Sequence, residues 1–163
     1  MKTTSMMLGT IGIVLAALAG PARTEGTDHT ATTPDTVKWG DAPPVFNKGA
    51  KMAVLYGDPS KSGLFIVRLK VPANFKIMPH SHPTDENVTI VSGSVAFGMG
   101  DKLDPRTKAL PAGSFVSMPA KMHHYAFSTK ESVVEVSAMG PFQIDYVDPK
   151  DDPSKAAAAT PAK

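Results

Sequence analysis

The sequence contains no cysteine. That excludes disulfide frameworks, thiolate zinc sites and cysteine nucleophiles, and leaves imidazole and carboxylate as the side chains able to hold a transition metal. Charge of one sign is in little excess: 17 Lys and Arg stand against 15 Asp and Glu, a formal net charge of +2. The basic residues are scattered, so nucleic-acid binding through a basic stripe is not expected. Gly-x-Ser-x-Gly, a phosphate-cradling glycine loop and His-Glu-x-x-His are all missing, which removes the commonest hydrolase and nucleotide-binding readings. No sustained 3.6-residue apolar period runs through residues 37–147, which argues against long helices. Proline and glycine, by contrast, are plentiful at 15 and 13. With a hydrophobic content of 42%, close to that of globular proteins, this composition points to one folded domain of short strands and many turns.

The one long apolar run lies at the N-terminus. Lys2 precedes a charge-free, mostly apolar stretch over residues 6–19, which closes on Ala17-Leu18-Ala19, a small-x-small cleavage pattern. Residues 1–19 therefore read as a secretory signal peptide. The run falls short of the roughly 20 residues a spanning helix needs, so an uncleaved anchor is the lesser reading. The mature protein is expected to be exported, periplasmic or secreted, with no stable membrane anchoring. Residues 20–36, rich in Thr, Ala, Pro and Asp and carrying His29, read as a flexible linker, and residues 148–163 as a disordered tail. Between them, residues 37–147 form the expected β-domain. Strands are predicted at 52–56, 63–71, 87–91, 94–99, 115–118, 125–128, 132–138 and 142–147, separated by turn signals such as Gly57-Asp58-Pro59, Ser92-Gly93 and Pro111-Ala112-Gly113. The pattern is all-β and admits a sandwich, a barrel or a jelly roll.

The chemistry is concentrated in Pro79-His80-Ser81-His82-Pro83-Thr84-Asp85-Glu86. Alternate residues of a strand share a face, so His80 and His82 can aim at one point, and Glu86 can return to it after a bend at Pro83. Met122-His123-His124-Tyr125 offers a further imidazole. Three imidazoles and a carboxylate suit Mn, Fe, Co, Ni, Cu or Zn, with room for water or substrate on the ion. An isolated His-x-His is often surface decoration; the second Gly/Pro/His block is what raises it above that.

These blocks resemble the paired motifs of the cupin superfamily. The first motif runs Gly, five residues, His-x-His, three or four residues, Glu, six residues, Gly; here Asn74, His80, His82, Glu86 and Gly93 stand in register, with Asn in the first Gly position. The second runs Gly, five residues, Pro-x-Gly, two residues, His, three residues, Asn; here Gly113, Pro119 and His124 match, while Lys121 replaces the Gly and Ser128 the Asn. The resemblance covers roughly residues 50–140. It implies a single jelly-roll (double-stranded β-helix) barrel holding one divalent metal on His80, His82, Glu86 and His124, a small-molecule ligand, and a homodimer. Asn74 tolerates the left-handed backbone that the Gly would adopt; Lys121 does so less readily. Spacing from Pro119 selects His124 over its neighbour, although the more apolar face of His123, Tyr125 and Phe127 pulls the other way.

Arg68 lies mid-strand among apolar residues; it either reaches inward to hold a substrate carboxylate or, the commoner arrangement, faces solvent. Lys76 alternates with Met78 and His80, which would aim it at the metal unless a bulge at Pro79 resets the phase. The fold does not select a reaction. The expected function is a metal-dependent enzyme of oxidoreductase or lyase type, such as a dioxygenase or decarboxylase, acting on a small organic acid or phenolic compound. Its catalytic residues are not identified by the sequence, and the metal is left open among Mn, Fe, Zn, Ni and Cu. The alternative is a non-catalytic module that binds or senses a metal or small ligand.

Overall fold

The computed structural model of the protein describes residues 31–158, with side chains described as far as Lys155. The expected signal peptide, most of the linker and the end of the tail lie outside the described residues. Within them the chain folds as β1 (Gly40–Asp41), β2 (Lys51–Tyr56), β3 (Gly63–Val71), β4 (Lys76–Ser81), β5 (Glu86–Ser92), β6 (Ser94–Met99), β7 (Ala109–Pro111), β8 (Phe115–Met118), β9 (His124–Ser128), β10 (Ser132–Gly140) and β11 (Asp145–Tyr146). One sheet has the order β1-β2-β3-β10-β5-β8 and the other β11-β4-β9-β6-β7. All pairings are antiparallel. The two sheets form the jelly-roll barrel.

The period-2 pattern of β3 shows why the sheets face each other. Phe65, Val67, Leu69 and Val71 are buried, while Leu64, Ile66, Arg68 and Lys70 alternate with them on the outer face. Val134 and Val136 on β10 and Val88 and Ile90 on β5 continue the inner layer. From the opposite sheet, Phe75, Ile77, Val95, Phe97 and Ala126 meet them. Full burial of each such side chain is worth about 1.5–3 kcal/mol, and this apolar interior holds the barrel shut. Arg68 faces outward: its Nε donates to Glu135 Oε2 across the β3–β10 pair at 2.9 Å, with both side chains partly exposed. Trp39 precedes the short first strand and lies under the Lys70 ammonium, 4.5 Å from the ring centre.

Gly93 closes the β5–β6 turn at φ +85°, and a Cβ there would collide with Ser132 and the Glu131 carbonyl, so its motif position needs glycine on both counts. Asn74 (φ 61°) and Lys121 (φ 64°) do adopt the left-handed conformation at the two positions where the motif has glycine. Ser128, standing in the Asn position, is buried and ties a turn: its Oγ donates to the Pro72 carbonyl and accepts from the Phe75 amide.

Some expectations need correction. The strand predicted at 142–147 is a ladder only at Asp145–Tyr146. Phe142 instead donates its amide to the Pro59 carbonyl, and residues 142–144 cross the mouth of the barrel. Strands β1 and β7 are additional to those predicted, and β4 gives bounds to the strand that the alternation of Lys76, Met78 and His80 assumed, despite Pro79 within it. Over its described part, the tail expected from 148 carries a 3₁₀ turn at Pro149–Asp151 and a short helix at Pro153–Ala158. Residues 33–36 of the expected linker form a turn closed by the Thr36 amide on the Thr33 carbonyl. No helix among the described residues is long and apolar enough to cross a membrane.

Candidate metal centre

Four side chains from three elements and one bend meet at one end of the barrel interior. His80 lies near the end of β4, His82 just beyond it, Glu86 opens β5 and His124 opens β9. The alternation that threatened to turn Lys76 inward is broken by a bulge. Ile77 pairs with Ala126 and His80 with His124, so Met78 and Pro79 together oppose Tyr125. The extra residue resets the phase. Phe75 and Ile77 line the cavity before it, His80 and His82 after it, and Lys76 is exposed. Pro79 sits where its missing N–H is not needed, and its carbonyl accepts from the Val147 amide.

The bend carrying His82 and Glu86 is clasped to the loop before His124. The Lys121 amide donates to the His82 carbonyl at 2.8 Å, and the Ala120 amide to Asp85 Oδ1 at 2.8 Å. The two motifs, distant in sequence, are thus hydrogen-bonded to each other beside the site.

All three imidazoles are buried, with 3%, 8% and 2% exposure for His80, His82 and His124. Each is held through Nδ1 by a backbone carbonyl: His80 by Met78 at 2.7 Å, His82 by Gln143 at 2.6 Å and His124 by Met122 at 2.9 Å. A carbonyl only accepts, so each Nδ1 carries the proton, and in the neutral ring Nε2 offers its lone pair to the centre. One ring nitrogen from each histidine lies within 4.8 Å of the others. The Nε2 atoms of His82 and His124 are buried without a hydrogen-bond partner. In the neutral rings these atoms face only the Glu86 carboxylate, acceptor against acceptor, and a cation at the point of convergence would satisfy both. The donor set fits a transition-metal ion.

Glu86 Oε2 lies 3.3 Å from His124 Nε2 and 3.5 Å from His82 Nε2. Burial pushes the Glu86 carboxyl up, but the two imidazoles outweigh it and hold the group at about 2. Burial pulls His82 down, yet Glu86 and the Gln143 carbonyl keep it above its ordinary value. His80, desolvated and beside the His124 charge, is pushed down to about 3. Without a metal the cluster is an ion pair, and a cation held there would displace the protons and take the same lone pairs.

His123 is not part of this centre: it is exposed and its Nδ1 lies 2.6 Å from Asp101 Oδ1. Sequence reasoning missed the segment behind the histidines. The Tyr146 ring lies 5.9 Å from that of His80, and its hydroxyl donates to the Val45 carbonyl. Phe142 lies 5.6 Å from the His82 ring and stacks on Phe46. The Gln143 contribution is a backbone carbonyl, for which the sequence carries no signal. In front of the centre opens a cavity of about 460 Å³, walled mainly by aliphatic and aromatic side chains.

The matching family model is that of a domain of unknown function, DUF4437, over residues 21–145. No curated protein matches. Among solved structures, the polyketide cyclase RemF from Streptomyces resistomycificus is similar at TM-score 0.64 and 18% identity, over 80% of this chain and 93% of that one. A putative acetylacetone dioxygenase from Methylibium petroleiphilum PM1 is similar at TM-score 0.59 and 16% identity, over 95% of this chain and all of that one. An RmlC-like cupin from Ralstonia eutropha JMP134 is similar at TM-score 0.57 and 21% identity, over 75% of this chain and 74% of that one. Likeness at these identities is likeness of fold, and the fold is the cupin barrel.

Proposed function

The chain belongs to the family of the domain of unknown function DUF4437, built on a cupin barrel, and from that premise we propose that it is a metal-dependent enzyme. His80, His82, His124 and Glu86 hold one divalent transition metal, and a small organic acid or phenolic compound occupies the cavity in front of them. The reaction is of oxidoreductase or lyase type. The observation that carries this reading is the set of three Nδ1-anchored imidazoles whose Nε2 atoms converge, two of them buried without partners. The similar solved structures include proteins described as a cyclase and a putative dioxygenase, which supports an enzyme without selecting the reaction. The leader-like residues 1–19 support an exported protein.

The bound ion supplies Lewis acidity and, if redox-active, electron exchange. The chain does the rest. The carbonyls of Met78, Gln143 and Met122 fix which ring nitrogen each histidine presents. Glu86 supplies the negative charge that makes a cation preferred to a proton pair. The aliphatic wall excludes water and positions the substrate by shape. Among the described residues no Lys, Arg, Asp or Tyr lines the cavity, so the candidates there for moving a proton are Glu86 and the three histidines. That same fact favours the second reading, a non-catalytic module that binds a metal and a small ligand.

Elemental analysis of the full chain is expected to find about one metal per chain. His80→Ala and Glu86→Gln are each expected to lower metal content and thermal stability together. Protein without metal after growth in metal-supplemented medium would sink the enzyme reading. Unchanged metal content in both variants would show that the ion is held elsewhere.

A further inference from the structure

We propose that the cavity takes a molecule with a single charged or ionisable oxygen headgroup, placed toward the histidines, on an otherwise uncharged, ring-sized apolar body, and that it rejects compounds with a second charged group. This rests on the metal reading above and narrows its substrate class. The argument comes from what lines the wall and what does not. Phe65, Val67, Leu69, Val88, Val95 and Val136 are among the lining residues, and all are apolar. Among the described residues Glu86 is the only carboxylate in the lining, and it is committed to His82 and His124. No Lys or Arg among the described residues lines the cavity.

The two cations best placed by sequence to reach inward are both turned away. Arg68 is on the outer face of β3, paired to Glu135. Lys76 is exposed on β4, ahead of the bulge that turns His80 inward. A ligand charge remote from the histidines would therefore be desolvated among hydrocarbon with no counter-ion, which proteins avoid. At the histidine end the balance differs. A divalent ion and the Glu86 carboxylate together leave one positive charge, which one anionic oxygen matches. Polycarboxylates fail the charge condition, and sugar acids, with a polyhydroxylated body, fail the apolar one.

Size and shape favour rings. A cavity of about 460 Å³ falls in the roughly 300–1,000 Å³ range of small-molecule sites. Phe142 crosses the mouth, stacked on Phe46 at 6.1 Å and edge-on to Phe65 at 6.2 Å, and all three belong to the lining. Away from the histidines, the polar lining residues are the exposed Ser60 and Gln143 and the buried Ser128, whose hydroxyl is already taken by Pro72 and Phe75.

The test uses the full chain loaded with zinc, a redox-silent ion, and calorimetric titration with three matched probes. These are 2-naphthoate, the monomethyl ester of naphthalene-2,6-dicarboxylate, and the free diacid. The ester and the diacid have nearly the same length and differ in one charge. The expected result is similar affinity for naphthoate and the monoester, and roughly a hundredfold weaker binding of the diacid. Diacid binding within about threefold of the monoester overturns the proposal, as does failure of all three probes to bind zinc-loaded protein. Zinc stoichiometry, measured first, separates the two readings. Absent zinc with retained discrimination refutes the metal site alone; bound zinc without discrimination refutes the substrate class alone. Ile144→Lys, a half-buried lining residue at the mouth, is expected to recover at least tenfold of the diacid's lost affinity by supplying the missing cation. Folded Ile144→Lys protein with no gain for the diacid would also count against the proposal.

Discussion

Replacing Glu86 by glutamine in chelator-treated protein probes the electrostatics of the centre apart from any metal. The Glu86 carboxyl is held at about 2 rather than 4.5, because His124 and His82 outweigh the opposing effect of burial. At about 1.4 kcal/mol per tenfold, holding it there contributes about 3 kcal/mol to folding. The folded value lies below the unfolded one. This contribution is therefore fully present above the unfolded value of 4.5 and is lost as pH falls through about 2. His82 is held above its ordinary 6.5, so its contribution is present below 6.5 and is lost as pH rises through the folded value. The two describe one ion pair, whose energy is counted once, and the metal-free protein gains most from it between pH 4.5 and 6.5. Urea denaturation of the wild type and Glu86→Gln, both in chelator, gives the comparison. The expected difference is about 3 kcal/mol at pH 5.5 and less than half of that at pH 3, where the carboxyl is protonated in the unfolded chain but still ionised in the folded one. A difference under about 1 kcal/mol at pH 5.5, or one that does not shrink at pH 3, would refute the assignment of Glu86 as the anion of this cluster.

Three further outcomes follow from packing and backbone geometry. Gly98→Ala drives a Cβ into the buried Tyr125 ring, which is tethered by its hydroxyl to Thr107 at 2.7 Å; a loss of about 1–3 kcal/mol is expected by thermal or urea unfolding, and an unchanged midpoint would mean that the β6–β9 pair yields easily. Ser128→Ala leaves the Phe75 side-chain-bonded amide without its Oγ partner and is expected to cost about 1–3 kcal/mol in urea unfolding while metal content stays constant. Lys121→Gly relieves a left-handed lysine, an arrangement that costs about 1–2 kcal/mol, so the folded protein should be stabilised once the extra freedom of glycine in the unfolded chain is deducted; a lower melting temperature would show that the lysine side chain contributes more than its backbone costs.

Much of the barrel was legible because its signal is local. β3, β6 and β8 have the bounds that alternation and turn residues predict. The motif spacing singled out His80, His82, Glu86 and His124, and the structure brings these four side chains together, whereas His123, which local polarity favoured, is exposed. What escaped was nonlocal. The bounds of β4 escaped because it contains a proline; the phase of Lys76 and His80 suggested a bulge at Pro79, but only β9 fixes it and only the Val147 amide shows what the Pro79 carbonyl bonds. Residues 142–144 are apolar enough for a strand, but the chain uses them to cross the cavity mouth, a choice set by where β10 ends. The carbonyls that orient the histidines belong to residues of any type.

The bulge in β4 does more than reset phase, because the carbonyl that anchors His80 belongs to Met78, one of its two residues. Deleting Met78 would give a regular ladder with Phe75, Ile77, His80 and His82 still on one side. Every ligand would survive, yet His80 would lose its tether and its ring could turn over, presenting the wrong nitrogen. A lowered metal content in that deletion, with fold and melting cooperativity retained, would reveal a way of losing the metal that is written in chain length rather than residue identity. Two relatives with identical ligands could then differ in whether they hold a metal at all.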